Sequence, residues 1–292
     1  MKSISNLRKG ICLDLHNGLF KNNFLIVSPL LLGTVFFLDY WHRVQILILA
    51  NQLKLEQTSI GDCWMYIYGG MRVYIPQEND KFHFPVTWMI LFMLGTFLVL
   101  NYPFKDLESS GQQVLVRMGG YREWWLSKCV WNIVSVFYYH GMVILTSLGL
   151  CVIKGIPVSR KINITLLCRL FDIVDPACFW DSEDSGRFGL GWVMLPICMA
   201  AAITLFQMML SLFLKPILAF LISTVLFITS AYLFLPFVPG NYAVALRGEW
   251  LLVDGMKLIN GYIMVIFMAV SAVTIGFIKF KKYYDILGIG NN

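Results

Sequence analysis

Residues 190–237 read LGWVMLPICMAAAITLFQMMLSLFLKPILAFLISTVLFITSAYLFLPF, two apolar runs that meet at Leu214, Lys215 and Pro216. A helix needs about 20 mostly apolar residues to cross ~30 Å of hydrocarbon, and each run supplies that length. So little chain between them leaves room only for a tight turn joining antiparallel helices. The pair reads as a transmembrane hairpin, and the composition agrees. Of 292 residues, 58% are hydrophobic and 14% charged, against roughly half and a quarter in an ordinary soluble domain. A mean hydropathy of +0.69 and an aromatic content of 15% exclude a soluble globular enzyme and a disordered chain.

Working outward from the hairpin, six runs reach spanning length, at about 24–40, 86–102, 129–153, 190–214, 217–237 and 258–278. Asp39, His42 and Arg43 are expected to end the first near Tyr40. That run follows 23 mostly polar residues and no A-x-A-like site comes after it, so it is expected to be retained rather than cleaved as a leader. The segments on the N-terminal side of the membrane carry 12 Lys and Arg in about 66 residues, and the opposite ones 11 in about 99. Basic density therefore places both termini, including the tail 279–292, in the cytoplasm. The formal charge of +6 sits at the ends of apolar runs, where the bilayer is the partner, and nucleic acid is not expected as one.

In residues 1–23, Ile4, Leu7, Ile11, Leu15 and Leu19 recur at three- and four-residue steps, while Lys2, Arg8, Lys9 and Lys21 avoid that stripe. This predicts an amphipathic helix at the inner membrane surface, either as a plain anchor or as a docking element. The outer segment from Trp41 to Phe84 is long for a simple connection; Asp62, Trp64, Gly69, Gly70, Tyr74 and Pro76 suggest turns bearing interfacial aromatics. A second outer segment, Lys154 to Gly189, gathers Asp172, Asp175, Asp181, Glu183 and Asp184, a cluster that could hold a cation but is read first as solvated loop charge. Asn163 opens an acceptor sequon of the kind that arises by chance. Cys168 and Cys178 also lie in that segment, where a disulfide is possible. The seven cysteines and four histidines show no metal-ligand spacing.

The inner segment between the second and third runs is the most structured of the connections. Pro103 suits the first turn of a helix, Asp106 and Glu108 its positive end, and Arg117 its last turn before the Gly119-Gly120 stop. A short surface helix is predicted over Phe104 to Met118. Arg122, Trp124, Trp125 and Lys128 follow, with indoles at headgroup depth and cations able to reach phosphate or carboxylate. An interfacial anchor would explain these residues, but it does not require a second ordered helix.

Ion-coupled transport needs ionisable groups at membrane depth, and the run interiors hold no acidic residue. His140, Asn132, Gln207 and Asn260 are the strongly polar exceptions, each expected to make an interhelical hydrogen bond. Metalloprotease, serine-hydrolase and Walker phosphate-loop motifs are all missing. Six helices with an elaborate inner loop and no chemistry of their own suit a permease subunit whose energy enters from another chain.

This layout resembles the membrane subunit of a bacterial ABC-2 type transporter over nearly the whole chain. The most specific stretch is 101–131, where Asp106-Leu107, Gly111-Gln112-Gln113 and the Arg122, Trp125, Lys128 spacing are similar to the family's first cytoplasmic loop. The resemblance implies an all-α polytopic membrane protein. It has six transmembrane helices, an N-terminal interfacial connecting helix and a cytoplasmic coupling helix between helices 2 and 3. It further implies that Lys105, Asp106, Gln112, Gln113, Arg117, Arg122, Trp125 and Lys128 couple to a separate ATPase, which would hold the ATP and magnesium, with no cofactor in this chain. A second permease copy or a related permease is expected, in the bacterial plasma membrane. Residues 235–247 look like the family's re-entrant outer hairpin, with Pro236, Pro239, Gly240 and Arg247. The long 41–84 segment departs from the family pattern. A non-transporting sensor or immunity protein with the same fold is the competing class, and an intramembrane enzyme built around His140 a third.

Overall fold

The structure, a computed structural model, describes residues 2–73, 84–106, 120–173 and 189–286. It is all-helical among those residues, with a single isolated bridge between Gly248 and Met256. The helices are α1 (Lys2–Leu15), α2 (Asn23–Leu49), α3 (Ile60–Tyr68), α4 (Val86–Leu98), α5 (Tyr102–Asp106), α6 (Tyr121–Ile153), α7 (Ile164–Leu170), α8 (Leu190–Leu210), α9 (Pro216–Tyr232) and α10 (Leu258–Ile286). Five segments are long and apolar enough to cross a membrane: α2, α4 continued through α5, α6, α8 and α10. The chain is therefore a multi-pass membrane protein.

Several helix ends differ from the sequence expectation. Asp39, His42 and Arg43 do not end the first run; α2 continues to Leu49, because Asp39 and Arg43 pair one turn apart at 3.6 Å and Tyr66 donates its hydroxyl to Asp39. The third run begins earlier than Cys129, at Tyr121, which brings Arg122, Trp125 and Lys128 onto α6. The run predicted for 217–237 is helical only over Pro216–Tyr232, 17 residues, or about 26 Å at 1.5 Å per residue. It ends before Pro236, whose ring and missing N–H disfavour a helical turn. The last helix continues into the expected tail, as far as Ile286.

Helix α8 is the hub. Within its most apolar window 72% of residues are buried, against 22% in α10, and α10, α6 and α9 pack around it. Its run Met199 to Ile203 is buried and carries three consecutive alanines, small side chains that let neighbouring backbones approach. Asn132 Oδ1 accepts the Thr204 hydroxyl at 2.8 Å, and Gln207 donates to the Thr96 carbonyl at 3.0 Å, so two of the predicted interhelical hydrogen bonds tie α8 to α6 and α4. Asn260 instead is exposed on α10.

The outer segments are not a string of interfacial turns. Asp62 and Trp64 sit in α3, where every residue from Gly61 to Tyr68 is buried between α2, α4 and α6. Aromatic packing carries this insertion: Trp64 stacks on Tyr68, Tyr68 meets Phe92 edge-on, and the Tyr68 hydroxyl bonds His140 Nδ1 at 3.0 Å. The two long outer segments also join each other. The Ile60 and Gly61 N–H groups donate to the Pro157 and Ser159 carbonyls at 3.2 and 3.1 Å. Asn163 caps α7 by accepting the Leu166 N–H and donates its own N–H to Asp62 at 2.8 Å.

Asp62 is 1% exposed, and its second carboxylate oxygen has no hydrogen-bond partner among the described residues. Burial pushes its pKa up to about 7, against the opposing pull of the Asn163 and Ser59 hydrogen bonds. A carboxyl raised in this way holds its proton in the folded state at pH values where the unfolded chain has lost it. Its contribution to stability is thus full below about pH 4 and is lost as pH rises to about 7. The unfolding midpoint of the purified protein should fall across that window and then level off, and Asp62→Asn should remove the fall. An unchanged slope in Asp62→Asn would assign the pH dependence elsewhere.

Candidate functional site

The predicted coupling loop is described at its two ends only. Gln112, Gln113 and Arg117, the Gly119 stop and most of the expected Phe104–Met118 helix lie outside the described residues, as do Cys178 and the acidic residues from Asp175 to Asp184. Lys105 and Asp106 close the entry in the short helix α5, and Arg122, Trp125 and Lys128 follow the exit, on the first turns of α6.

These ends are clamped by a buried charge cluster. Lys128 is 1% exposed, and its ammonium lies 2.5 Å from an Asp14 oxygen and 2.6 Å from one of Asp106. The Tyr102 hydroxyl donates to Asp14 at 3.0 Å, and the Ser127 hydroxyl donates to the other Asp14 oxygen. The rings of Tyr102 and Trp124 lie 4.8 and 5.1 Å from the ammonium, an arrangement that favours a desolvated cation. One lysine thus holds an acid from α1 and an acid from α5 against α6. The two carboxylates share one ammonium, so breaking either contact leaves a buried charge uncompensated.

The N-terminal helix is seated by the same cluster. Leu7, Ile11 and Leu15 are partly buried where α1 packs on α6, whereas Ile4, placed on the same predicted stripe, is exposed. Following α1, the turn His16–Phe20 brings Gly18 against Trp131 and Tyr102. A Cβ at Gly18 would fall 2.5 Å from the Trp131 nitrogen and 2.7 Å from the Tyr102 ring, so only glycine lets the backbone approach these two rings.

Trp125 and Lys128 therefore face inward rather than toward headgroups. The Trp125 N–H donates to the Val273 carbonyl at 3.0 Å, and Trp124 stacks on Phe280 at 4.6 Å, which fastens α10 to the same end of α6. Arg122 and Lys105 remain exposed; the Arg122 guanidinium lies 5.8 Å from the Phe277 ring. The sequence reading missed Asp14 and Tyr102. Their signal was an acid between Gly10 and Gly18 at four-residue spacing, on the face of α1 that turns out to be buried.

At the opposite end of the bundle, the segment 233–257 is non-helical apart from short turns at Pro239–Ala243 and Ala245–Arg247. Residues 240–247 are buried. Gly240 lies so close to Ser230 that a Cβ would overlap its hydroxyl, while Pro236 is exposed and Pro239 partly so. Arg247, 0% exposed, donates to the Ser230 carbonyl, to Asn241 Oδ1, to the Ala231 carbonyl at 3.0 Å and to the Arg72 carbonyl at 3.3 Å. It joins the end of α9 to the outer segment that follows α3.

The His140 ring lies among Tyr68, Phe92 and Tyr139, and among the described residues no three His, Cys, Asp or Glu side chains converge as metal ligands would. No protein-family model, curated protein or solved structure matches the chain.

Proposed function

We propose that the chain is the permease subunit of a bacterial ABC exporter of the ABC-2 type, driven by a separate ATPase and paired with a second permease. The observation that carries this reading is the Asp14–Lys128–Asp106 clamp. It joins the residues that flank 107–119 to both α1 and the start of a 33-residue helix, so in this reading a push on the coupling segment is delivered to α1 and α6 together. A loop that served only as a membrane anchor has no need of such a rigid mount. Lys105 and Arg122 stand exposed at its rim, placed to meet an acidic groove. In this reading α9 is the fifth of six membrane crossings, completed by the buried cap at 233–257. The ATPase holds the nucleotide and magnesium, and both termini lie in the cytoplasm of a plasma-membrane protein.

The test is co-purification of an ATPase subunit with the tagged chain from its native membrane. Replacing Arg117 and Arg122 by Glu should reduce the recovered ATPase more than tenfold while leaving insertion of the permease unchanged. Buried charge contacts at an interface are worth about 2 to 5 kcal/mol, and each 1.4 kcal/mol is tenfold in affinity. Recovery of the ATPase at the wild-type level with the double variant would refute the coupling role. An unmodified chain that brings down no ATPase would favour the sensor or immunity class.

A further inference from the structure

A cavity of about 360 Å³ opens at the end of the bundle remote from the clamp, between the second half of α2, the start of α4 and the end of α7. That volume falls in the range of small-ligand pockets. Its walls carry two charges of each sign, Asp39 and Arg43 on one side, and Arg72 and Asp172. On the α2 wall, Asp39 accepts the Tyr66 hydroxyl and lies 3.6 Å from Arg43 Nε, while the guanidinium stands 5.7 Å from the Tyr66 ring. Arginine has five N–H donors in a planar fork. The Asp39 contact engages its Nε edge, and half of the side chain is exposed, so donors remain for an anion.

Across the cavity Asp172 follows α7 with a φ of +52°, a left-handed conformation that aspartate adopts more readily than most residues. Its carboxylate is exposed and makes no ion pair or hydrogen bond with the described residues. The Tyr66 and Phe171 rings, 6.3 Å apart, also line the cavity. The pocket therefore offers a guanidinium to an anion and a carboxylate with aromatic faces to an ammonium. A zwitterion can engage the remaining Arg43 donors and the Asp172 carboxylate at once. The mouth adjoins Phe84 and Val86, apolar side chains about half exposed at the start of α4, which suits a headgroup that carries acyl chains.

We propose that this cavity binds the zwitterionic headgroup of an aminophospholipid, with its phosphate on Arg43 and its ammonium on Asp172. Arginine recognises phosphate through two parallel, charge-assisted N–H bonds, and the ammonium gains both the carboxylate and the ring faces. The inference does not depend on an ATPase partner.

Native mass spectrometry of the purified full-length chain tests it, with phosphatidylethanolamine, phosphatidylglycerol and water-soluble phosphoethanolamine added in separate titrations. Phosphatidylethanolamine should bind at least tenfold more tightly than phosphatidylglycerol. Arg43→Gln should weaken both lipids, and Asp172→Asn should erase the preference by weakening phosphatidylethanolamine alone. Both side chains are exposed, so neither variant removes a core contact. Equal binding of the two lipids to the wild-type chain, or a preference that survives both substitutions, would overturn the proposal. Phosphoethanolamine binding as tightly as the lipid would overturn the lipid assignment and make the ligand a soluble zwitterion.

Discussion

Lys128→Met is expected to destabilise the folded chain by about 3 to 5 kcal/mol, the usual cost of removing one partner from a buried ion pair. Methionine nearly matches the lysine stem in length, so packing against Tyr102 and Trp124 is kept and the loss isolates the charge. Without the ammonium, Asp14 and Asp106 face each other across a site that is almost closed to water; Asp14 is 3% exposed. Their mutual repulsion then favours the release of one of them from the site. Because Asp14 is the contact that fastens α1, detachment should expose the N-terminal helix to protease ahead of global unfolding. Adding Asp14→Asn and Asp106→Asn to Lys128→Met should restore much of the stability, since neutral groups carry a far smaller desolvation penalty. Denaturant unfolding of the purified variants measures both steps. A Lys128→Met chain as stable as wild type would mean that the cluster does not hold this end together.

Arg247→Met is expected to cost about 2 to 5 kcal/mol and to loosen the 233–257 segment specifically. Arg247 is fully buried, and a guanidinium stays cationic at neutral pH. No carboxylate answers it in the hydrogen bonds described above. Its countercharge is the negative end of α9, through the Ser230 and Ala231 carbonyls, where a helix C-terminus presents unsatisfied oxygens. Methionine would leave those carbonyls, the Asn241 side-chain oxygen and the Arg72 carbonyl short of a donor inside the protein, at about 1 to 3 kcal/mol for each group that cannot find water. Arg247→Lys keeps the charge but offers a point donor that cannot span acceptors from three segments, so it should fall between the two. Limited proteolysis at 233–257, compared with cleavage elsewhere in the chain, reads out the effect. Unaltered protection in Arg247→Met would show that the cap is held by its apolar contacts alone.

Local sequence determined the class of this protein and the course of most of its membrane helices. Each spanning segment must satisfy its backbone hydrogen bonds internally when lipid surrounds it, so apolar runs such as 190–210 declare themselves without reference to the rest of the chain. Breaks were legible for the same reason: Lys215-Pro216 separates α8 from α9, and α9 ends ahead of Pro236. Helix ends were less so, because Asp39 and Arg43 look like an interface in sequence but neutralise each other one turn apart. Of the candidate site, the sequence marked the loop ends and the charges at them, yet not which way those charges face.

Tertiary structure alone decided the burial of the polar residues. Lys128 meets Asp14 across 114 positions and Asp62 meets the Asn163 backbone across 101, separations that no periodicity of three or four residues encodes. The nine-residue helix α3 is too short to cross a membrane and carries an acid and a row of aromatics, so by composition it resembles a surface element. It becomes core only because the segment after α6 supplies partners for its first N–H groups and α2, α4 and α6 leave a space of its size. Sequence thus determines where a helix is affordable in lipid, whereas a buried charge is tolerable only beside a particular partner, and partners this far apart are brought together by the fold.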